Sequence, residues 1–366
     1  MIKEGKIGLQ EAVCLVTITS ATKLFFTSPS FLVRLVGTSA WYVTIISALT
    51  GMLGFTFIYF LLKRFPGKDI VGAFELSLGR FFGFILSLVL AVFLMFYGAI
   101  LLREFIEVLK VYTLPLSQPS FIISIFLIVT VPVCYLGLET LARFSKLVAY
   151  ILLISLLAIL VLLVNKYNFG YLFPLWGYGI DKAVITGLKR SSGYGEVILF
   201  AVIASSMHGT REIKKAGYIM LLLSLLIVSS SFLAFTVTFP YFVAEEMTSP
   251  VYEMVRLINY GGFVQRLDPI FLFLWNISTL ISVTTLFYCS LSVYCKAFRL
   301  QDMRPSIIPG SAILFATAMI PDDLAGITQG YVQSFREYGW VIFYLLPLSV
   351  LIVAVLRKKK GVKENA

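Results

Sequence analysis

Charged residues are scarce in this sequence, and hydrophobic residues dominate it. Of its 366 residues only 13% are Asp, Glu, Lys or Arg, whereas 59% are hydrophobic. A soluble domain carries about 25% charged residues, so the deficit excludes a water-soluble enzyme. A membrane crossing takes about 20 apolar residues, and the length therefore suffices for roughly ten crossings joined by short loops. We expect a single all-α, polytopic integral membrane domain over residues 1–366.

Motifs for catalysis, nucleotide hydrolysis and metal binding are also missing. The sequence has no G-x-x-x-x-G-K-[ST], no nucleophile elbow and no pair of carboxylates in a predicted cleft. We therefore expect no enzymatic activity and no ATP-driven transport by this chain alone. His208 is the one histidine and has no Cys/His cluster around it, so neither a metal site nor a cofactor is expected. Asp322 and Asp323 follow Pro321 and indicate a polar turn at the end of a helix.

Ten apolar segments are predicted to cross the membrane as helices, and each is long enough for most or all of a crossing. The ten predicted spans are 8–35, 41–62, 81–109, 120–138, 141–164, 193–210, 216–241, 269–295, 306–320 and 339–356. The loops 165–192 and 242–268 are the long ones, and short surface helices are expected in them.

The basic residues indicate how these spans are oriented. The formal net charge is +11, but the Lys and Arg residues stand in short clusters between apolar segments, a pattern of membrane topology rather than of nucleic-acid binding. With a cytoplasmic N-terminus, 19 of the 30 Lys and Arg residues are cytoplasmic, 10 are on the outer side, and Lys23 lies inside a span. Both termini are therefore predicted to be cytoplasmic, which requires an even number of crossings. The basic run 357–360 is expected to contact anionic lipid headgroups.

The two halves of the predicted domain correspond to each other. Spans one to five cover residues 8–164, spans six to ten cover residues 193–356, and a basic tail follows at 357–366. Small polar residues interrupt the first span at 17–22 and the sixth at 193–209. Discontinuous helices at matching positions of two inverted repeats surround a ligand site near the bilayer midplane. The other interpretation is ordinary helix packing, in which small and hydroxyl side chains are also common.

Short motifs along nearly the whole chain carry a family resemblance. In chain order they are Thr27-Ser28-Pro29, Ala40-Trp41, Arg64-Phe65-Pro66-Gly67-Lys68, Arg103-Glu104 with Glu107, Gly195-Glu196-Val197, Arg211-Glu212-Ile213-Lys214-Lys215, Pro321-Asp322-Asp323 and Leu346-Pro347. No single motif is diagnostic, but in this order the set resembles the endospore germination permeases. These are the B subunits of Ger-type spore germinant receptors.

The resemblance implies a fold, a function and partners. The family is related to permeases of the amino acid, polyamine and organocation superfamily, so the implied fold is a LeuT-like 5+5 inverted repeat of ten transmembrane helices, discontinuous in helices 1 and 6. The implied function is recognition of a small germinant, expected to be an amino acid, between helices one, three, six and eight. The implied partners are A-type and C-type receptor subunits in the spore inner membrane. The first span departs from the family's glycine-rich pattern at Ala21-Thr22-Lys23-Leu24-Phe25, which points to a different ligand or a closed pocket.

Lys23 and Glu196 are the candidate charge pair. A cation at the centre of a membrane helix costs about 2.5 to 3.5 kcal/mol on insertion scales unless it is paired or hydrated. Glu196, in the sixth span, is the natural counter-ion, because the first and sixth spans are neighbours in an inverted repeat. Lys23 would be a fixed positive charge that either holds a ligand carboxylate or stands in for a coupling cation, and pairing with Glu196 would relieve the desolvation of both charges. The alternatives are that Lys23 reaches the outer interface and that Glu196 sits at a helix start, where the dipole favours a carboxylate.

The candidate ligand-binding residues combine hydroxyl groups with apolar surface, the mixture that a small polar ligand requires. Tyr97 is the polar residue in the apolar run 88–102. The alternative to a ligand contact is a structural role, in which its phenol hydroxyl forms a hydrogen bond with a neighbouring helix. The full predicted set is Thr19, Ser20, Thr22, Tyr97, Glu196, Leu199, Phe200, Ser278 and Ser282. Alternatively, each Ser or Thr side chain stabilises packing between helices and does not contact a ligand.

Three alternative functions are therefore compatible with the sequence. The first is a receptor in which germinant binding shifts a conformational equilibrium that partner subunits detect. The second is a proton- or cation-coupled amino-acid permease in which Lys23 and Glu196 change protonation. The third is a passive channel or scaffold subunit, which requires a continuous polar path.

Overall fold

The computed structural model describes residues 5–261 and 267–361, and these residues form helices without any strand. The α-helices are α1 (Leu9–Ala21), α2 (Ser28–Val36), α3 (Ala40–Arg64), α4 (Ile70–Leu78), α5 (Arg80–Tyr112), α6 (Pro119–Leu136), α7 (Leu138–Leu162), α8 (Ile180–Lys189), α9 (Leu199–Val202), α10 (Thr210–Thr238), α11 (Tyr241–Ala244), α12 (Pro250–Arg256), α13 (Asp268–Ala297), α14 (Arg304–Ala318), α15 (Val332–Trp340) and α16 (Leu346–Leu356).

Seven helical segments of the described chain are long enough and apolar enough to cross a membrane. They are Ser28–Arg64, Arg80–Tyr112, Pro119–Leu136, Leu138–Leu162, Thr210–Thr238, Asp268–Ala297 and Gly326–Leu356. The protein is therefore an all-helical integral membrane protein. The predicted first, sixth and ninth spans do not form such helices. The first and sixth are interrupted, and α14 has only 15 residues with Pro309 inside it. The count of ten crossings stays a prediction.

Two boundaries differ from the sequence prediction. The predicted tenth span begins at 339, but the helix is continuous from Gly326 to Leu356 and contains two π-helical segments. Its early turns carry Gln333 and Arg336, which gave them the appearance of a loop; both side chains are buried among other polar groups. The second difference is an additional helix, α4, which lies between the second and third predicted spans. Asp69 caps its N-terminus, because its Oδ1 accepts a hydrogen bond from the Gly72 amide at 2.9 Å.

Short helices lie in both long loops, as predicted, but α12 is largely buried instead of lying at the surface. The loop 165–192 contains α8, and the loop 242–268 contains α12 together with the end of α11. Residues 262–266 of the second loop lie outside the described residues.

Close contacts join the helices of the bundle, and α1 packs against α7, α10 and α13. At Gly217 of α10 an added Cβ would lie 2.0 Å from Cζ of Phe55 in α3, so only glycine fits there. In the contact between α5 and α13, the Ser290 hydroxyl donates to the Ala91 carbonyl at 2.6 Å. Close backbone approach and hydroxyl bonds of this kind stabilise helix packing in lipid. The packing places the interrupted first span at the centre of the bundle.

Candidate functional site

The first predicted span is interrupted in its middle. After α1 the chain forms a 3-10 turn over Thr22–Phe25, becomes extended at Phe26 (φ −97°, ψ −154°), and resumes as α2 with Pro29 in its first turn. Proline is favoured in the first turn of a helix because its missing N–H has no partner there in any case. The Thr22 hydroxyl also donates a hydrogen bond to the Ile18 carbonyl at 2.7 Å. Such a side-chain bond competes with the backbone hydrogen bonds of the helix and often bends it. The predicted interruption is confirmed.

The backbone groups freed by this interruption bind other parts of the protein. The Phe25 carbonyl accepts a hydrogen bond from the Ser249 hydroxyl at 2.7 Å. The Thr27 amide and hydroxyl both donate to Glu104 Oε1, at 3.3 and 2.6 Å. These groups are therefore satisfied within the protein, and they do not face a solute in this conformation.

The sixth span is interrupted as well. It consists of a 3-10 segment over Arg190–Ile198, the single-turn helix α9, and a second 3-10 turn over Ala204–Ser206. Gly195 is required where this segment meets the last helix, because an added Cβ would lie 1.9 Å from Cδ2 of Phe343. Both predicted interruptions are therefore present, and they lie side by side.

A buried ion pair joins the two interruptions. Lys23 Nζ lies 2.7 Å from Oε1 and 2.8 Å from Oε2 of Glu196. The Glu196 side chain is 0% exposed and the Lys23 side chain 12%. The Tyr97 hydroxyl of α5 donates a short hydrogen bond to Glu196 Oε1, and the Tyr97 ring stacks on Phe335 at a centroid distance of 4.2 Å. Pairing and hydrogen bonding offset the desolvation of both charges. The sequence placed these two charges together; their role in ligand binding stays a prediction.

Further buried charges lie on α5 and on the last helix, and none of them was among the predicted site residues. Arg336 Nη2 lies 3.5 Å from Glu104 Oε2, and Arg103 Nη2 lies 2.9 Å from Glu107 Oε1. Arg336 is one of the 10 basic residues that the charge distribution assigns to the outer side, and the structure buries it. The acidic residues of α5 entered only as a family motif, although charges inside an apolar helix of this length require partners and could have indicated the cluster.

The predicted hydroxyl residues contact one another. Thr22 Oγ1 lies 2.6 Å from Ser278 Oγ and 2.8 Å from Ser282 Oγ, so these hydroxyls join the first span to α13. Thr19 donates to the Leu15 carbonyl at 2.9 Å. Of the remaining predicted residues, Ser20 is buried without a hydrogen-bond partner among the described residues, and the other two are fully buried: Leu199 and Phe200.

Two small cavities lie beside Lys23, and predicted residue Tyr97 borders one of them. One cavity of about 60 Å³ is bordered by Lys23, Arg190, Tyr194 and Arg336. A second, of about 20 Å³, is bordered by Lys23, Arg336 and Tyr97. None of the predicted Ser and Thr residues borders either cavity. The space therefore lies near the first, second, third, sixth, seventh and last helical spans.

The remaining candidates from the sequence lie at the surface. His208 is exposed, with Nδ1 3.6 Å from Glu212 Oε2. Asp323 accepts a hydrogen bond from the Gly326 amide at 2.6 Å and so caps the start of the last helix. The Asp322 carbonyl accepts a hydrogen bond from Arg103 at 3.0 Å. Among the described residues, no group of three or more His, Cys, Asp or Glu side chains is arranged to hold a metal ion.

Comparison with known proteins agrees with the resemblance seen in the sequence. A family profile described as "Spore germination protein" matches residues 6–326. Spore germination protein KB of Bacillus subtilis (strain 168) is 21% identical over 100% of this chain and 98% of its own length. GerLB of Bacillus cereus is 26% identical over 52% of this chain and 50% of its own length.

Two solved structures have the same fold. The nucleobase-cation-symport-1 family transporter Mhp1, closed with bromovinylhydantoin bound, superimposes with a TM-score of 0.62 at 14% identity and covers 97% of this chain and 92% of its own. MhsT in complex with L-phenylalanine superimposes with a TM-score of 0.63 at 15% identity and covers 94% and 88%. The chain therefore has a transporter-type fold.

Proposed function

Since the chain belongs to the spore germination protein family, we propose that it is the germinant-sensing B subunit of a spore germinant receptor. It binds a small molecule, expected to be an amino acid, and acts with A-type and C-type subunits in the spore inner membrane. The proposed topology has ten crossings in two inverted halves, with both interrupted spans and the short α14 counted as crossings. Both termini are cytoplasmic, as the distribution of basic residues favours.

The ion pair between Lys23 and Glu196 is the observation that supports this function. It joins two interrupted spans, and Tyr97 extends the contact to α5. A ligand that approaches Lys23 competes with Glu196 for the ammonium group. Ligand binding shifts a conformational equilibrium only by its difference in affinity for the two states, and a change from 1:99 to 99:1 requires about 5.5 kcal/mol. Separating a buried ion pair changes the energy by about 3 to 5 kcal/mol, which is of the same order.

The test uses spores whose only receptor of this type contains the chain with Glu196→Gln. This change keeps the size of the side chain and removes the charge that Lys23 contacts. Because the variant removes the carboxylate charge that competes with the ligand for Lys23, we expect the nutrient concentration for half-maximal germination to fall at least about tenfold, which corresponds to 1.4 kcal/mol. The control is Glu139→Gln, which removes a carboxylate from the exposed pair of Glu139 with Arg143 and leaves the response unchanged. An unchanged response to every nutrient in Glu196→Gln spores, at equal protein level, would overturn the proposal.

A coupled amino-acid permease is the second candidate. The transporter-type fold and a buried Lys–Glu pair favour it, because alternating access coupled to protons requires groups that exchange protons or partners. Purified protein in liposomes with an imposed proton or sodium gradient separates the two functions. Accumulation of a labelled amino acid above its equilibrium level supports the permease, whereas binding without accumulation supports the receptor.

A further inference from the structure

The cavity of about 60 Å³ has an unusual distribution of charge. Lys23, Arg190 and Arg336 all border it, and none of the described residues that border it is an Asp or Glu. Three cations around one small space in a membrane protein repel one another unless an anion lies between them. The charge distribution therefore indicates what the space accommodates.

Carboxylates behind the wall compensate two of the three cations. Lys23 has a short bidentate contact with Glu196. Arg336 lies 3.5 Å from Glu104, a carboxylate that also accepts two hydrogen bonds from Thr27. Neither acid is among the residues that border this cavity, although Glu104 borders the smaller neighbouring one.

Arg190 has no such compensation. Its Nη2 donates to the neutral Gln333 Oε1 at 2.6 Å, and its guanidinium lies over the Phe31 ring at 5.0 Å. Among the described residues no carboxylate lies within 4.0 Å of it; the nearby Glu337 contacts Lys189 at 2.8 Å. Within the described residues, this positive charge at the cavity therefore has no carboxylate in direct contact.

Two polar atoms of the cavity wall also lack partners. The Tyr194 hydroxyl and Arg336 Nη1 are buried and make no hydrogen bond with the described residues, and their residues are 3% and 9% exposed. A buried donor without a partner costs about 1 to 3 kcal/mol. Both residues border the same cavity as Arg190, so a single acceptor group in that space can satisfy them together.

We propose that this cavity binds a small organic anion through its carboxylate, with Arg190, Arg336 and Tyr194 as the hydrogen-bond donors. Arginine forks match a carboxylate in geometry as well as in charge. A cavity of about 60 Å³ holds a ligand of roughly four to six non-hydrogen atoms, taking 10–15 Å³ of such space for each water-sized group. Because no acid borders the cavity, a ligand ammonium group has no partner there, and the carboxylate is the required element. The inference rests on the proposed function only in identifying this anion with the germinant.

Calorimetric titration of the purified full-length chain tests this directly. The probes are acetate, lactate, butyrate and L-alanine, each compared with its amide at constant ionic strength. We expect a carboxylate of this series to bind at least about tenfold more tightly than its amide, and Arg190→Gln to weaken that binding roughly 10- to 100-fold. Tyr194→Phe removes one hydroxyl and weakens it less, and Arg190→Lys retains part of the affinity because it keeps the charge. Arg256→Gln is the matched control, since Arg256 is exposed, contacts Glu253 and does not border the cavity.

The proposal would be overturned by equal binding of carboxylates and amides, by no binding of any carboxylate, or by equal loss of binding in Arg190→Gln and Arg256→Gln. An effect of sodium chloride as large as that of the carboxylates would do the same, because it would reflect charge screening. Germination of spores with Arg190→Gln is measured separately. Anion binding to the purified chain together with an unchanged nutrient response in Glu196→Gln spores would contradict the receptor function alone, whereas a nutrient response that depends on Glu196 but not on Arg190 would contradict only the identification of the bound anion with the germinant.

Discussion

The contact between Lys23 and Glu196 predicts a strong energetic coupling between the two residues. The perturbation is a double-mutant cycle of Lys23→Met, Glu196→Gln and the combination of both. The methionine keeps most of the length of the lysine chain, and the glutamine still accepts a hydrogen bond from Tyr97. The cycle therefore removes charge with little change in volume or in hydrogen bonding.

The magnitude follows from burial. Removing one partner of a buried ion pair costs about 3 to 5 kcal/mol because the other charge stays in a medium of low dielectric constant, whereas replacing both partners is often nearly neutral. Glu196 is 0% exposed, but Lys23 is 12% exposed and borders a cavity. We therefore expect Lys23→Met, which isolates the carboxylate, to fall at the upper end of this range and Glu196→Gln at the lower end. The double variant is expected to be more stable than either single variant.

Equilibrium unfolding of the purified protein in mixed detergent micelles, followed by circular dichroism, measures these free energies. The matched control is the pair Lys189 and Glu337, with the same chemistry at 2.8 Å but side chains 55% and 41% exposed. Its cycle should give a coupling below about 1 kcal/mol. The reasoning is refuted if the effects of Lys23→Met and Glu196→Gln add within about 0.5 kcal/mol, the behaviour of independent sites.

Further predictions concern single side chains near this pair. Tyr97→Phe removes the hydroxyl that donates to Glu196 and should lower the free energy of unfolding by about 1.5 to 3 kcal/mol; a loss below about 0.5 kcal/mol would contradict this hydrogen bond. Gly195→Ala places a Cβ 1.9 Å from Phe343 and should destabilise by about 1 to 3 kcal/mol. Gly193→Ala meets no atom within 4 Å and should change stability by less than about 0.5 kcal/mol. Equal losses in the two alanine variants, measured by the same unfolding assay, would refute the assigned packing.

The interruptions were predictable because small polar residues carry local information. A run of hydroxyl residues followed by Ser28 and Pro29 weakens a helix and starts a new one, whatever lies around it. The glycines of the sixth span act in the same way. The pairing of Lys23 with Glu196 was predictable for a different reason: a charge in an apolar span requires a partner, and repeat symmetry makes the two spans neighbours.

The position of the cavity was not predictable from these patterns. Whether Thr22 faces a ligand or bonds Ser278 and Ser282 depends on how α13 is rotated and how deeply it lies against the first span, and no local pattern carries that information. Arg336 shows the same limit. In the sequence it belongs to a polar segment, and only the packing of the last helix against the interrupted sixth span buries it beside Glu104.

The sequence by itself determined the environment of the chain, its helical character, the two sites of interruption and the charge pair between them. Hydropathy and helix-breaking residues act locally, so their effects are readable along one dimension. Tertiary structure decided which hydroxyls bond each other, how the last helix extends back to Gly326, and that three cations surround one small cavity. These features depend on contacts between residues far apart in the chain, and the relative rotation and depth of packed helices, which set those contacts, are properties of the assembled bundle alone.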